Sequence, residues 1–120
     1  MKFWQQLLTQ LQDGKNVYLL TVIQNFGSSP GRKGFKMLVS EDGFIFGSVG
    51  GGVMEFTLVE EAKSLLQKSK KPILFKRQVH QGSKTKDGSG MICSGEQTVV
   101  FHPMDSSHIE FHSYWNCIYR

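Results

Sequence analysis

Glycine-rich turns carry the residues of this sequence that are best suited to bind a ligand. Eight of its 13 glycines lie in the stretch 27–52. Glycine is favoured where the backbone needs a positive φ or where another group must come close. Gly50, Gly51 and Gly52 precede a predicted helix, whose first N–H groups lack intrahelical acceptors and carry partial positive charge. This turn predicts an anion site, and a tight strand-to-helix connection is the alternative.

A second turn offers hydroxyl groups. Gly27, Ser28, Ser29 and Pro30 follow an apolar segment, and basic residues come directly after them at 32 and 33. Hydroxyls beside a glycine can donate to a phosphate or a carbonyl oxygen. An ordinary polar turn would have the same composition.

A third glycine-rich segment contains a thiol. Cys93 and Met91 lie between Gly90 and Gly95, so bulky neighbours do not shield the sulfur in the sequence. A thiol can act as a nucleophile if nearby lysines or a helix start lower its pKa, and a small buried hydrophobe is the alternative. The four histidines share no metal-ligand spacing with it, so we predict no metal site.

The predicted secondary structure places these turns between short elements. Periodicity predicts a helix over 2–12, and β-branched apolar residues predict a strand over 17–23 that is buried on both faces. Strands over 35–39 and 44–47 flank a hairpin turn at 40–43. A second helix runs from residue 53 until Pro72 stops it, and strands follow over 73–79 and 98–102. We predict an α+β fold in which two helices pack on one small, mainly mixed sheet of about five strands.

Length, composition and cysteine count restrict the classes of protein to which this sequence can belong. A chain of 120 residues fits one domain, and its two cysteines form neither a disulfide framework nor a zinc motif. We therefore expect a cytoplasmic protein. The N-terminus lacks the apolar core of a signal peptide, and no apolar run approaches the ~20 residues of a membrane span.

The charge is unevenly distributed. Fourteen Lys and Arg against ten Asp and Glu give +4, and the stretch 62–86 holds basic residues without an acid. Such a run can bind phosphate, nucleic acid or an acidic protein surface. The alternative is a solvated surface without a binding role. Phe75 is the one aromatic residue in it, which disfavours binding by base stacking.

Three of these segments occur together in a known family. GSSP at 27–30, then GSVGGG leading into a helix with an acid at Glu55, then GMIC before a strand ending in proline, resemble the N-terminal domain of the XdhC/CoxI family. The resemblance covers roughly residues 5–103 and implies an accessory protein of molybdenum hydroxylases such as xanthine dehydrogenase. It implies binding of molybdopterin, the molybdenum cofactor, and its insertion into the apo-enzyme.

The resemblance also implies a set of cofactor-binding positions, without a catalytic residue. These are Gly27, Ser28, Ser29, Pro30, Ser48, Gly50, Gly51, Gly52, Glu55, Met91, Cys93 and Gly95.

Domain boundaries and partners follow from the same resemblance. We expect an XdhC/CoxI-like domain over 1–103, an aromatic tail over 104–120, and no Rossmann domain of the kind that family members commonly carry. The expected partners are the molybdenum hydroxylase apo-enzyme or a separate Rossmann-like chain, with a homo-oligomer as a further possibility. Two other hypotheses remain: a thiol or sulfur-transfer enzyme that uses Cys93, and a basic module that binds nucleotides or nucleic acid.

Overall fold

A computed structural model describes residues 2–81 and 94–108 and confirms the predicted α+β class. Its elements are α1 (Lys2–Gln12), β1 (Val17–Gly27), β2 (Lys36–Ser40), β3 (Ile45–Gly47), α2 (Gly52–Leu66), β4 (Leu74–Gln81) and β5 (Ser94–Met104). The five strands form one sheet in the order β3-β2-β1-β5-β4. We expected mainly mixed pairing, but all four pairings of these strands are antiparallel.

The two helices cover opposite faces of the sheet. Alternate residues of a strand point to opposite faces, so Tyr18 and Leu20 join the α2 side while Val17 joins the α1 side. The α2 side holds the larger core, in which Leu58 and Phe101 are fully buried. The smaller core lies under α1, where Leu7 and Leu11 pack against Val17 and Leu38.

β1 is buried on both faces only where both helices reach it. Val17 and Tyr18 are fully buried, whereas Leu19 and Thr21 on the α1 side are half-buried and Ile23 is exposed. The expectation of a strand buried throughout is therefore wrong for its second half. The helix α1 is too short to cover the whole face, and an apolar run alone does not reveal that.

Two element boundaries differ from the prediction in a way that affects the site. β5 begins at Ser94, not residue 98, so Gln97 lies inside the sheet. β5 also continues through Pro103, which pairs with Tyr18 of β1. β4 pairs with β5 only as far as Phe101, so the missing N–H of Pro103 lies on an unpaired side.

No helix within residues 2–81 and 94–108 is long and apolar enough to cross a membrane.

A surface ion pair fastens the β2–β3 hairpin to the segment between α1 and β1. Lys15 Nζ lies 2.5 Å from Asp42 Oδ2, and the Phe44 N–H donates to Asp42 Oδ1 at 3.1 Å. The hydrogen bond from Lys15, followed by that from Phe44, lowers the pKa of Asp42 from 3.8 to about 2. Both side chains are well exposed, so the contribution to stability is modest.

We expect this pair to give acid-dependent stability. Because folding lowers the pKa of Asp42, the stabilisation is present above pH 3.8 and is lost as the pH falls through about 2. In urea unfolding, Asp42→Asn should be less stable than the wild type at pH 7 and equally stable below about pH 2. Lys15→Met should reproduce this. A deficit of the same size at both pH values would contradict it.

Candidate functional site

Three backbone segments meet at one end of the sheet. They are the serine turn (residues 27–31), the triple-glycine turn (residues 48–52), and the start of β5 at Gly95. Gly95 pairs with Gly27 across β5 and β1, and the triple-glycine turn leads directly into α2. Segments far apart in the sequence are therefore placed side by side.

Several glycines here allow backbone segments to touch. A Cβ on Gly95 would lie 2.3 Å from Ser29 N and 2.7 Å from Ser28 N, and one on Gly50 would lie 2.6 Å from Gly31 N. A Cβ on Gly31 would lie 2.4 Å from Val49 O. Real Cβ atoms do not approach backbone atoms so closely. The glycines at 31, 50 and 95 are therefore needed for packing between the turns.

Gln97 joins the two turns to the sheet. Its side chain is 1% exposed. Its Oε1 accepts from Gly31 N at 2.8 Å, while its Nε2 donates to Val49 O at 3.2 Å and to Gln78 Oε1 at 3.1 Å. Gln78 in turn donates to Met54 O of α2 at 3.0 Å. One buried amide thus holds the serine turn, the triple-glycine turn and β4 in a fixed arrangement.

The triple-glycine turn wraps around a carboxylate of its own chain. Glu55 Oε1 accepts from Ser48 Oγ at 2.6 Å, Val49 N at 2.9 Å and Gly51 N at 3.0 Å. Ser48 Oγ also accepts from Gly50 N at 3.1 Å. These donors are already satisfied, so Glu55 and Ser48 fix the shape of the turn.

The groups that remain open lie at the start of α2 and on the serine turn. Gly51 and Gly52 have φ of +73° and +68°, and a Cβ on either would meet nothing within 4 Å. The first amides of a helix lack intrahelical acceptors, and the N-cap Gly51 supplies no side-chain cap. Ser28 is exposed. The two turns touch at Gly31 and Gly50, so these donors lie on neighbouring segments, which we call the cradle. Open amides at a helix start suit an anion.

The remaining predicted positions fall into three groups. Ser29 is buried, and its hydroxyl donates to Gly31 O at 2.8 Å, so it stabilises the turn from inside. Gly27 and Gly95 also line a cavity on the α1 side of the sheet, and Pro30 contacts Gly50. Met91 and Cys93 lie outside the described residues.

Sequence reasoning missed Gln97 and Gln78. The alternation of side chains along β5 could have identified Gln97, since Gln97, Val99 and Phe101 all point to the α2 side of the sheet. Because the predicted strand began at residue 98, Gln97 lay outside it and its burial was not predicted. Correct placement of the strand start would have predicted a buried polar side chain in need of partners.

The basic run is partly neutralised by its own chain. Lys76 pairs with Glu61 at 3.0 Å, Lys63 with Glu60 at 3.6 Å, and Arg77 with Glu96. Three of the six basic residues described between 62 and 81 therefore face carboxylates. This weakens the field that a nucleic acid would need.

Comparisons with known proteins give a consistent picture. A sequence model of the XdhC and CoxI family matches residues 10–76. The uncharacterized protein YqeB of Escherichia coli (strain K12) is 35% identical over 78 residues, which cover 65% of this chain and 14% of YqeB. The crystal structure of a xanthine dehydrogenase from Bacillus halodurans is similar with a TM-score of 0.59 and 29% identity, over 94% of this chain and 34% of that one. The chain thus spans about a third of the solved relative and less of YqeB.

Proposed function

The chain belongs to the XdhC and CoxI family, and from this premise we propose that it is an accessory domain, not a catalyst, that binds molybdenum cofactor for a molybdenum hydroxylase of the xanthine dehydrogenase type. The observation that carries the proposal is the meeting of the serine turn, the triple-glycine turn and Gly95 around Gln97. The fold holds these turns rigidly and leaves amide and hydroxyl donors open beside them. Such an arrangement is suited to holding a ligand.

The chemistry of the donors fits the cofactor. Molybdopterin carries a phosphate and two sulfur atoms, so it needs anion-binding groups and room for backbone to come close. The open amides at the start of α2 and the Ser28 hydroxyl would hold the phosphate, and Gly51 and Gly52 leave space for it. Cys93 and Met91 are proposed to contribute sulfur contacts. The cofactor, once delivered, supplies the metal centre of the receiving enzyme.

The proposed partners are an apo-enzyme of the xanthine dehydrogenase type and a Rossmann-like chain that completes the site. The support for them is the relation of this domain to a chain about three times as long, described as a xanthine dehydrogenase. A handover between proteins requires the cradle to be reachable, and Ser28, Gly52 and Val53 are all exposed.

Co-purification of the cofactor tests the proposal. The full chain is produced in cells that make molybdopterin, and pterin is measured per chain after anaerobic purification. We expect near-stoichiometric pterin in the wild type. Ser28→Ala should bind about tenfold more weakly, because a hydrogen bond to a charged group is lost.

Ser64→Ala is the matched control, because Ser64 is also exposed but lies on α2, twelve residues after Gly52. It should bind as the wild type does. If folded wild-type protein retains no pterin, nucleotide or phosphate compound, the proposal fails.

A further inference from the structure

An apolar patch lies on the part of the sheet that α1 leaves uncovered. Within the described residues, α1 packs near Val17 and Leu38, and the other half of this face has no helix over it. Phe75 pairs with Val100, while Val79 and Phe26 both pair with Glu96, so all three apolar side chains share this face. Phe75 is 68% exposed, and Phe26 and Val79 are each 53% exposed. We call Phe26, Phe75 and Val79 the open patch.

The open patch has a projecting residue and a depression. Phe75 projects from the edge strand β4. Four residues along the same strand, Val79 forms one side of a cavity of about 310 Å³, which is also lined by Phe26, Gly27, Gly95 and Glu96. The two features are about 13 Å apart at the usual rise of a strand. A cavity of this size can admit one aromatic side chain.

The two charged side chains beside the open patch neutralise each other. Arg77 lies between Phe75 and Val79 on β4, and its Nε donates to Glu96 Oε2 at 3.0 Å. A neutral apolar surface does not select a strongly acidic or basic partner. A two-fold axis that places each Phe75 in the other copy's depression would pass near Arg77, and each Arg77 stays neutralised there by Glu96 of its own copy.

We propose that two copies of this chain associate through the open patch, face to face about a two-fold axis, with each Phe75 entering the depression of the other copy. A two-fold interface needs a surface that complements itself, and the open patch carries both the projection and the depression. A sheet with one uncovered apolar face is stabilised by packing against another layer. The inference does not rest on the proposed function.

The alternative of pairing through the β4 edge is disfavoured by the sequence of that strand. Lys76 and Arg77 occupy its middle, and charged residues on an edge strand oppose edge-to-edge pairing. Face-to-face contact leaves Lys76 outside the interface, since it lies on the α2 side and pairs with Glu61.

The expected dimer is weak. The three side chains expose roughly 300 Å² of apolar surface per copy, so the interface with its rim falls at the small end of specific interfaces. We therefore expect a reversible dimer with a Kd on the order of 10 µM.

Sedimentation equilibrium of the full chain between about 1 and 100 µM tests this. The wild type should pass from monomer to dimer over this range. Phe75→Ser should raise the Kd at least about tenfold, because an aromatic anchor in a pocket dominates a small interface. Val79→Glu should do the same, since it places a carboxylate in the depression beside Glu96.

Phe56→Ser is the matched control. Phe56 is 65% exposed, nearly as much as Phe75, but it lies on α2 on the opposite side of the sheet. It should leave the Kd unchanged, and thermal unfolding should show all three variants folded. A wild type that stays monomeric at the highest concentration, as it would if another segment or partner covered the patch, overturns the proposal. So does a dimer that Phe56→Ser weakens, or one that Phe75→Ser leaves intact.

Discussion

Gly95→Ala should lower the free energy of unfolding by about 3 kcal/mol, at the upper end for overpacking. The added methyl group would lie 2.3 Å from Ser29 N and 2.7 Å from Ser28 N. Backbone on the opposing side cannot rotate away as a flexible side chain can, so β5 and the serine turn must separate. Chemical denaturation of the two proteins measures the difference, and the same separation should abolish cofactor binding.

Gly14→Ala is the control that separates close packing from backbone strain. Gly14 ends α1 as a left-handed cap, with φ of +77° and nothing near its Cβ position, whereas Gly95 is not among the positive-φ glycines. Gly14→Ala should therefore cost only the strain of a left-handed residue, about 1 kcal/mol. Equal losses in the two variants would show that contact between the turns is not what requires glycine at position 95.

Gln97→Leu should destabilise the protein by about 4 kcal/mol, because it leaves two buried backbone groups without partners at about 1–3 kcal/mol each. Gly31 N would lose its acceptor, Gln97 Oε1, and Val49 O would lose its donor, Gln97 Nε2. Leucine has a similar volume, so a packing defect contributes little. We expect the serine turn and the triple-glycine turn to move apart, and pterin retention to fall with them.

Gln10→Leu is the matched control for that substitution. Gln10 is also buried, at 6% exposure, and its Oε1 has no hydrogen-bond partner among the described residues. Replacement by leucine should be neutral or stabilising, because a desolvated polar atom is removed. If both variants lose the same stability, burial of an amide alone explains the effect and the hydrogen-bond network of Gln97 does not.

Local signals in the sequence predicted most of the elements. Apolar spacing located α1 at its observed bounds, and the Asp-Gly pair located the hairpin between β2 and β3. They could not predict how much of each face of the sheet is covered by a helix. Whether the second half of β1 is buried depends on how far α1 reaches across the sheet, which is a property of the packed molecule.

Glycine and serine composition located the turns, but their roles depend on contacts between distant segments. The contact of Glu55 with the cofactor stays a prediction, and the structure adds that its Oε1 accepts from Val49 and Gly51 of its own turn. The role of Gly95 in binding the cofactor also stays a prediction, and the structure adds that Gly95 contacts the serine turn. Local composition could not distinguish a glycine that admits a ligand from one that admits another turn.

Backbone amide chemical shifts during titration with molybdopterin test the central claim most directly. If the converged turns bind the cofactor, the largest shifts will occur at Ser28, Gly52 and Val53, and Gln97→Leu will abolish them. Shifts confined to the lysines at 68–71, or no shifts at concentrations of about 100 µM, would contradict the claim.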